Sequence, residues 1–496
     1  MNRSEGKHGK VCLISNLSVF VLLALCLCQS FPKSVMACDQ IPAGQTFRIR
    51  LSQPVSSYSS KPGMPVSGLI IESPQCDGLP AFPTGTVVDG HIASVHKVGI
   101  GFRYEIATLG IDFDRILPED GPPIEMHAQV MEVDNAREKV RDGVIHGIRS
   151  TNTPQDHLSS RVAYLLMWDP EFYWILPAYR AVFPVLPEPE LYFPSGTDLS
   201  LMLSAPLLVE RSDRPAPGNL EFDQPDRDAL DEKVRSLPER TVTPQGRDAD
   251  VVNLAFIGSR GQIDGAFKAA GWKGADAMST RTAFREIGSF LLLRNYPRGP
   301  MSKQLLRDRP SDFRWQKGLD SIARRDHLRI WSEPETWQGQ PIWLSASTRE
   351  IGASFSVRRR RFVHHIELAI DVEREKVVRD LTLAGCVETV HNAPRPALPT
   401  SLVNATDGEL QTDGAVAIVQ LKDCDSPVSE NDLAFPTLAA RPRSKVARYF
   451  RTQVLSIRDI WRENAAYGVF ELSRMTVRSI RRSHGRQVSV EAHNGK

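Results

Sequence analysis

Two periodicities divide the chain. Between 47 and 133, apolar and polar residues alternate in short runs: FRIRLS, VSGLIIES, GTVVDGHIASV, FRYEIATLGIDFDRI and IEMHAQVMEV. A period of two sends one face of each run into a core and the other to water, so each is expected to be a strand. PAGQ, KPGM, PTGT and EDGPP lie between the runs, where Pro and Gly make turns. Short strands at this spacing specify a barrel or a sandwich. IPAGQTFRIRLSQPV (41–55) is echoed by FPSGTDLSLMLSAPL (193–207) and more briefly by FPTGTVVDGHI (82–92). The spacings are too irregular for a solenoid, so the 193–207 copy is expected to close the same barrel as a late strand.

Beyond 250 the pattern changes. VVNLAFIG reads as a strand, and Ile263, Phe267 and Ala270 recur at helical spacing, which predicts a helix over 262–270. A second helix is expected over 280–294. Strand patterns follow in HLRIW (327–331), PIWLSAS (341–347) and FVHHIELAID (362–371), then a helix in DVEREKVVRDL, then strands in CVETVHNAP and GAVAIVQLKDC. This is α+β order. The stretch 211–249 is rich in Pro, Asp, Arg and Glu with little apolar pattern, and is expected to be a linker holding one short helix at DRDALDEKVRSL. The chain is therefore expected to be multi-domain. An all-β barrel-like domain (38–210) carries a helical insertion near 154–190. An α+β domain (250–425) and a basic helical tail (426–496) follow the linker.

Charge is balanced, with 61 basic against 59 acidic residues, so no global polyanion binder is indicated. The tail departs from that balance: 441–486 holds 12 basic and 3 acidic residues. Val446, Phe450, Val454, Ile457 and Trp461 fall on one side of a helix there. Such a helix suits an anionic lipid surface, or docks on the second domain with its basic face wet. At the other end, Arg3, Lys7 and Lys10 precede an apolar run over 11–28, and SVMA ends at Ala37. That is the pattern of a secretory signal over 1–37, with a retained anchor as the alternative because the run is near spanning length. Either way the body is expected in the periplasm or cell envelope, with envelope proteins or a membrane lipid surface as partners and no nucleic acid.

Cys12, Cys26 and Cys28 lie in the signal and leave Cys38, Cys76, Cys386 and Cys424. An even number in an exported chain suggests disulfides. Of the three connectivities, Cys38–Cys76 with Cys386–Cys424 keeps each bridge inside one predicted domain.

Candidate chemistry sits in 324–380. In HLRIW, Leu328 and Ile330 share one strand face, and His327, Arg329 and Trp331 share the other. In FVHHIELAID, His365, Glu367 and Asp371 share a face. If the strands are neighbours, His327, Arg329, His365, Glu367 and Asp371 can converge. His327, His365 and Asp371 are of the types that hold a divalent metal, and a His beside a carboxylate can act as a general base. A plainer role competes at Asp371, which stands where a helix N-cap is expected. His364 falls on an apolar face, where a hydrogen-bonded core histidine is the plainer reading. GSRG (258–261) lacks the spacing of a phosphate-binding loop and reads as a turn from strand to helix.

NLAFIG (253–258), AGW (270–272), HLRIW and the run 364–374 come in this order over roughly 135 residues, at 250–385. In these motifs the chain resembles the LssY C-terminal domain family. The resemblance implies a setting beside membrane and envelope modules, and no particular reaction. The openings IPAGQTFRIRLSQPVSS and FPTGTVVDGHI, with the close FPSGTDLSLML, resemble the TrbI-type barrel of conjugation and secretion channels. That resemblance implies a helical hairpin before the last strand, for which 154–182 is the counterpart.

GxSxG, HExxH, SxxK, CxxC and P-loop motifs are all missing. Two functions follow as expectations. One is an exported envelope protein that binds or scaffolds. The alternative is a metal-assisted hydrolase of an envelope ester or phosphoester, using His327, Arg329, His365, Glu367 and Asp371.

Overall fold

The computed structural model describes residues 40–76, 78–100, 104–149, 189–209, 221–291, 296–321, 323–356 and 361–424, with scattered positions between 444 and 476. The first unit is a closed barrel of six strands: β1 (Thr46–Leu51), β2 (Pro65–Glu72), β3 (Val87–His96), β4 (Thr108–Leu117), β5 (Ile124–Val133) and β6 (Asp198–Leu203). Each strand pairs antiparallel with the next, and β6 returns to β1 through Leu199 opposite Ile49. The 193–207 echo thus supplies the closing strand. Alternation decides which side chains go inside: Phe47, Ile49 and Leu51 are buried, while Arg48 and Arg50 point outward from the same strand.

β4 begins later than the sequence pattern suggests, because Tyr104 takes φ 59°, a conformation closed to a strand residue. Gly90 stands at a register shift where β3 crosses β4. A Cβ there would overlap the Asp112 carbonyl, so the close approach requires glycine. The expected helical insertion (154–190, through 188) and the signal segment lie outside the described residues.

The short helix expected within 211–249 is present, and a hairpin that was not expected follows it. α1 (Gln224–Ser236) is capped by Asp223, whose carboxylate accepts the Asp226 N–H at 3.1 Å, and it buries only Leu230 and Val234. Two buried apolar positions in 13 residues leave little pattern to read, yet they seat the helix. β7 (Arg240–Val242) and β8 (Asp248–Val251) follow it as a hairpin. Segment 210–220 lies outside the described residues.

The second unit is α+β. Its sheet contains β9 (Leu254–Ile257), β10 (Phe313–Lys317), β11 (Arg325–Trp337), β12 (Gln340–Ser356), β13 (Arg361–Ile366), β14 (Val387–Ala393) and β15 (Val416–Leu421). The order is β10–β11–β12–β9–β15–β14, with β13 paired to the far end of β12. Only the β9–β15 pair is parallel among these. α2 (Arg260–Ala269) and α4 (Ile370–Leu383) cover one sheet face through Ile263, Phe267, Val377 and Leu381. α1 covers the other through Leu230 and Val234, against Leu344, Ala346 and Ile418.

α2 starts on a reciprocal cap in which Ser259 Oγ accepts the Gln262 N–H and Gln262 Oε1 accepts the Ser259 N–H. The GSRG segment is therefore a strand-to-helix turn whose donors are used internally. α3 (Thr280–Leu291) falls within the expected 280–294.

Cys386 and Cys424 form a disulfide across 38 positions. Cys76 is also disulfide-bonded, while its expected partner Cys38 lies outside the described residues. The Cys386–Cys424 bridge ties the end of the α4 turn to the strand leaving β15. Cys386→Ser is expected to destabilise by about 2–4 kcal/mol; the check is the urea midpoint of this variant against the oxidised parent.

Among the described residues of the tail, Arg451, Leu455 and Arg458 dock on the barrel. Leu455 is buried in the barrel's own core cluster, Arg451 pairs with Glu190, and Arg458 Nη1 donates to the Gly99 carbonyl at 2.7 Å. The expected apolar stripe is not the docking side, since Val446, Phe450 and Val454 stay exposed; Ile457 and Trp461 lie outside the described residues. Leu455 breaks the predicted spacing because the barrel, not water, lies under that face.

Candidate functional site

β11, β12 and β13 are neighbours, as the residue patterns suggested, yet the five side chains do not meet. His327 lies opposite Thr348 on one edge of β12, and His365 lies opposite Gly352 on the other edge. Two strand spacings and four residue steps separate them by about 16 Å. His327 is buried and His365 is exposed. Among the described residues, no group of three or more His, Cys, Asp or Glu side chains is placed to hold a metal. The metal set His327, His365 and Asp371 is therefore corrected: alternation sorted faces within each strand, but β13 joins β12 beyond the part that β11 covers.

His327, Arg329, Glu367 and Asp371 have internal contacts instead. His327 Nδ1 lies 3.2 Å from Glu350 Oε1. Burial lowers its pKa, with Arg325 and Arg329 adding to that, and Glu350 only partly opposes them, so the ring is held neutral. Arg329 Nη1 donates to Asp250 at 3.1 Å, and its other nitrogens reach the Ser302 carbonyl and hydroxyl. Asp250 also accepts Gln304 Nε2 at 2.7 Å. Glu367 accepts the Leu368 N–H with its own carboxylate at 3.1 Å. Asp371 is not the N-cap; Ala369 holds that place with no side-chain bond. Asp371 instead accepts Thr412 Oγ1 at 2.8 Å, the Asp413 N–H at 2.6 Å and Arg374 at 3.1 Å, fastening the first turn of α4 to the segment before β15. His364's side chain lies outside the described positions.

The densest polar cluster lies where α4 and the β10–β11 end of the sheet meet the barrel, and sequence reasoning passed over it. Arg50 on β1 binds Asp198 on β6 at 2.7 and 2.9 Å, and binds Asp380 on α4 at 2.5 Å. Asp380 also accepts Lys317 Nζ at 2.9 Å and Trp272 Nε1 at 3.0 Å. One turn earlier on α4, Lys376 Nζ donates to Asp326 at 2.6 Å, and the barrel's Asn135 donates to the same oxygen at 2.8 Å. Arg349 pairs with Asp134 of the barrel.

Asp326, Lys376 and Asp380 are all essentially inaccessible to water. Burial alone would raise the Asp380 pKa. Lys317, Arg50 and Lys376 outweigh it and hold the carboxyl well below the usual carboxylate range. Glu373 has neither carboxylate oxygen hydrogen-bonded, and burial with Asp326 close by pushes its pKa well up. The signal for this seam was present at Glu373, Lys376 and Asp380. Their spacing of three and four puts three charges on one helix face, beside Val377 and Leu381. A charge run reads as a solvated face until a second unit is placed against it.

No curated protein matches the chain. Among solved structures, ComB10 of the Com type IV secretion system of Helicobacter pylori matches at 12% identity, over 35% of this chain and 94% of that one, with a TM-score of 0.21. The LssY C-terminus family model matches residues 234–416, a span that starts in α1 and ends at β15. It reaches further on both sides than the motifs at 250–385 did, and takes in the end of α1 and the β7–β8 hairpin, which lies in the stretch read as a linker. Residues 234–416 of this chain are thus similar to the LssY C-terminus family.

Proposed function

We propose that this is an exported cell-envelope protein that binds or scaffolds other envelope components, with the barrel and the LssY C-terminal domain working as one rigid body. The ionic seam carries the reading. Buried ion pairs between two units lose far more when opened than surface pairs do, because each charge would be left desolvated and alone. Two units joined this way present a fixed arrangement of surfaces, which is what a scaffold needs. The basic segment ahead of the long apolar run at 11–28 and the Cys386–Cys424 bridge support an oxidising compartment. No helix among the described residues is long and apolar enough to cross a membrane. The hydrolase alternative drew on five side chains sharing one pocket, and four of these five are engaged in the internal contacts above.

Calorimetry on the full chain tests rigidity: one cooperative transition spanning both units is expected, and two independent transitions would overturn the single-body reading. Thiol alkylation of the chain recovered from fractionated cells tests export. Cys386 and Cys424 are expected to resist labelling until reduced, and free thiols in a soluble cytoplasmic pool would overturn it.

A further inference from the structure

α3 is built inside out. Positions 280, 283, 284 and 287 fall on one stripe of the helix, and Phe284 is 74% exposed, Ile287 40% and the preceding Met278 53%. A Cβ added at Gly288 would meet nothing within 4 Å, so that side is open. The face toward the protein is the polar one, where Glu286 pairs with Arg325 at 3.3 Å. The helix does not depend on packing to start. Ser279 and Thr282 cap it reciprocally, the Thr282 N–H to Ser279 Oγ at 3.2 Å and the Ser279 N–H to Thr282 Oγ1 at 2.8 Å. Its base is pinned by Asp276, which takes Arg298 at 3.1 Å and the Tyr296 hydroxyl at 2.8 Å. The result is a finger held at its root, with its oily side turned outward.

The charge beside that stripe is in basic excess. Between 273 and 298 the sequence has Lys273, Arg281, Arg285, Arg294 and Arg298 against Asp276 and Glu286. Both acids are already used, by Arg298 and by Arg325. Lys273 and Arg281 are exposed, and Arg285, also exposed, bonds the Tyr296 hydroxyl through its guanidinium. An open cleft of about 490 Å³ adjoins the root, where Lys268, Lys273, Arg298 and Arg314 outnumber Asp264 and Asp312. Aromatic and aliphatic side chains on one stripe with guanidinium groups at its flank are what an interfacial helix requires, the apolar side entering the acyl boundary and the cations meeting phosphate.

We infer that α3 docks this protein on an anionic phospholipid surface, with Phe284, Ile287 and Met278 inserting, and Arg281, Arg285 and Lys273 facing the headgroups. This site is separate from the tail and does not rest on the scaffold reading.

The test is amide hydrogen exchange on the full chain, read peptide by peptide, so that contributions from the N-terminal apolar run are seen apart from those of α3. Vesicles of phosphatidylcholine with phosphatidylglycerol are expected to slow exchange over 280–291, and pure phosphatidylcholine vesicles to leave it unchanged. Arg281→Glu with Arg285→Glu, and separately Phe284→Ser with Ile287→Ser, are expected to abolish that protection. Each pair should weaken the α3 contact about tenfold or more; the Phe284 and Ile287 pair, whose side chains are exposed, should do so without moving the Tm, which keeps loss of docking apart from loss of the Arg285 contact to Tyr296. Unchanged exchange in α3 with anionic vesicles overturns the inference, as does protection confined to the 444–476 tail. Protection that grows with protein concentration in the absence of lipid also overturns it, because the stripe would then be an interface between copies.

Discussion

Asp380→Ala is expected to destabilise the protein by about 3–5 kcal/mol and to separate the unfolding of the two units in calorimetry. The carboxylate is completely buried and holds three donors from three places: Arg50 of the barrel, Lys317 of β10 and Trp272 after α2. Removing it leaves the Lys317 ammonium in the interior without its counter-charge and Arg50 with Asp198 alone, which costs more than the pair itself contributes. Lys317 already has its pKa lowered by burial, against Asp380, and without Asp380 it would shed its proton more readily still.

The pH dependence follows in sign. Asp380 is held below its unfolded value, so its stabilisation is present above the unfolded carboxylate pKa of about 3.9 and is lost as pH falls through the folded value. Glu373 is raised, so its contribution is fully present below its unfolded pKa and is lost as pH rises through the folded one. Urea midpoints across acid to neutral pH are therefore expected to show Asp380→Asn losing the acid-side decline, and Glu373→Gln losing the decline on the approach to neutrality. Superimposable profiles for Glu373→Gln and the parent would show that Glu373 does not titrate in the folded protein.

What could be read from residues alone was the part governed by local rules. Period-two alternation located the barrel strands, and the Pro-Gly echo at 193–207 located the closing strand, because side-chain direction and turn chemistry are local. The same alternation correctly put His327 and Arg329 opposite Leu328 and Ile330. It failed at the step from face to place. His365 shares a sheet with His327, but register along β12 sets them far apart, and register is fixed by pairing that no short pattern encodes. Asp371 failed for another reason: its carboxylate had a better use than capping its own helix, in the Thr412–Asp413 segment some 40 residues on. The ionic seam stayed hidden because Asp134, Asn135, Asp198, Asp326 and Asp380 come from both units, and no single stretch carries the pattern. The β7–β8 hairpin was missed because its strands of three and four residues are too short to show an alternation.

Asp250→Ala is expected to cost about as much as Asp380→Ala, about 3–5 kcal/mol, but wholly within the second unit. Asp250 and Arg329 are both nearly inaccessible, and the pair sits under the hairpin β7–β8. Arg329 keeps its bonds to Ser302 in the variant but loses its only ion-pair partner within 4 Å among the described residues. Burial already lowers the Arg329 pKa, against Asp250 and Glu350, so without Asp250 the guanidinium is an interior charge opposed only by the more distant Glu350. The double variant Asp250→Ala, Arg329→Met removes both charges and keeps the stem of the side chain, and should recover most of the loss. That recovery separates the two roles argued for Arg329. A residue kept for structure is rescued when its partner goes with it. A residue kept to hold a substrate anion would leave the double variant stable but without function, so the denaturant midpoints of the cycle should be read beside whatever binding the parent shows. Recovery of stability together with unchanged binding places Arg329 in the framework, whereas recovery of stability with loss of binding would return it to the site.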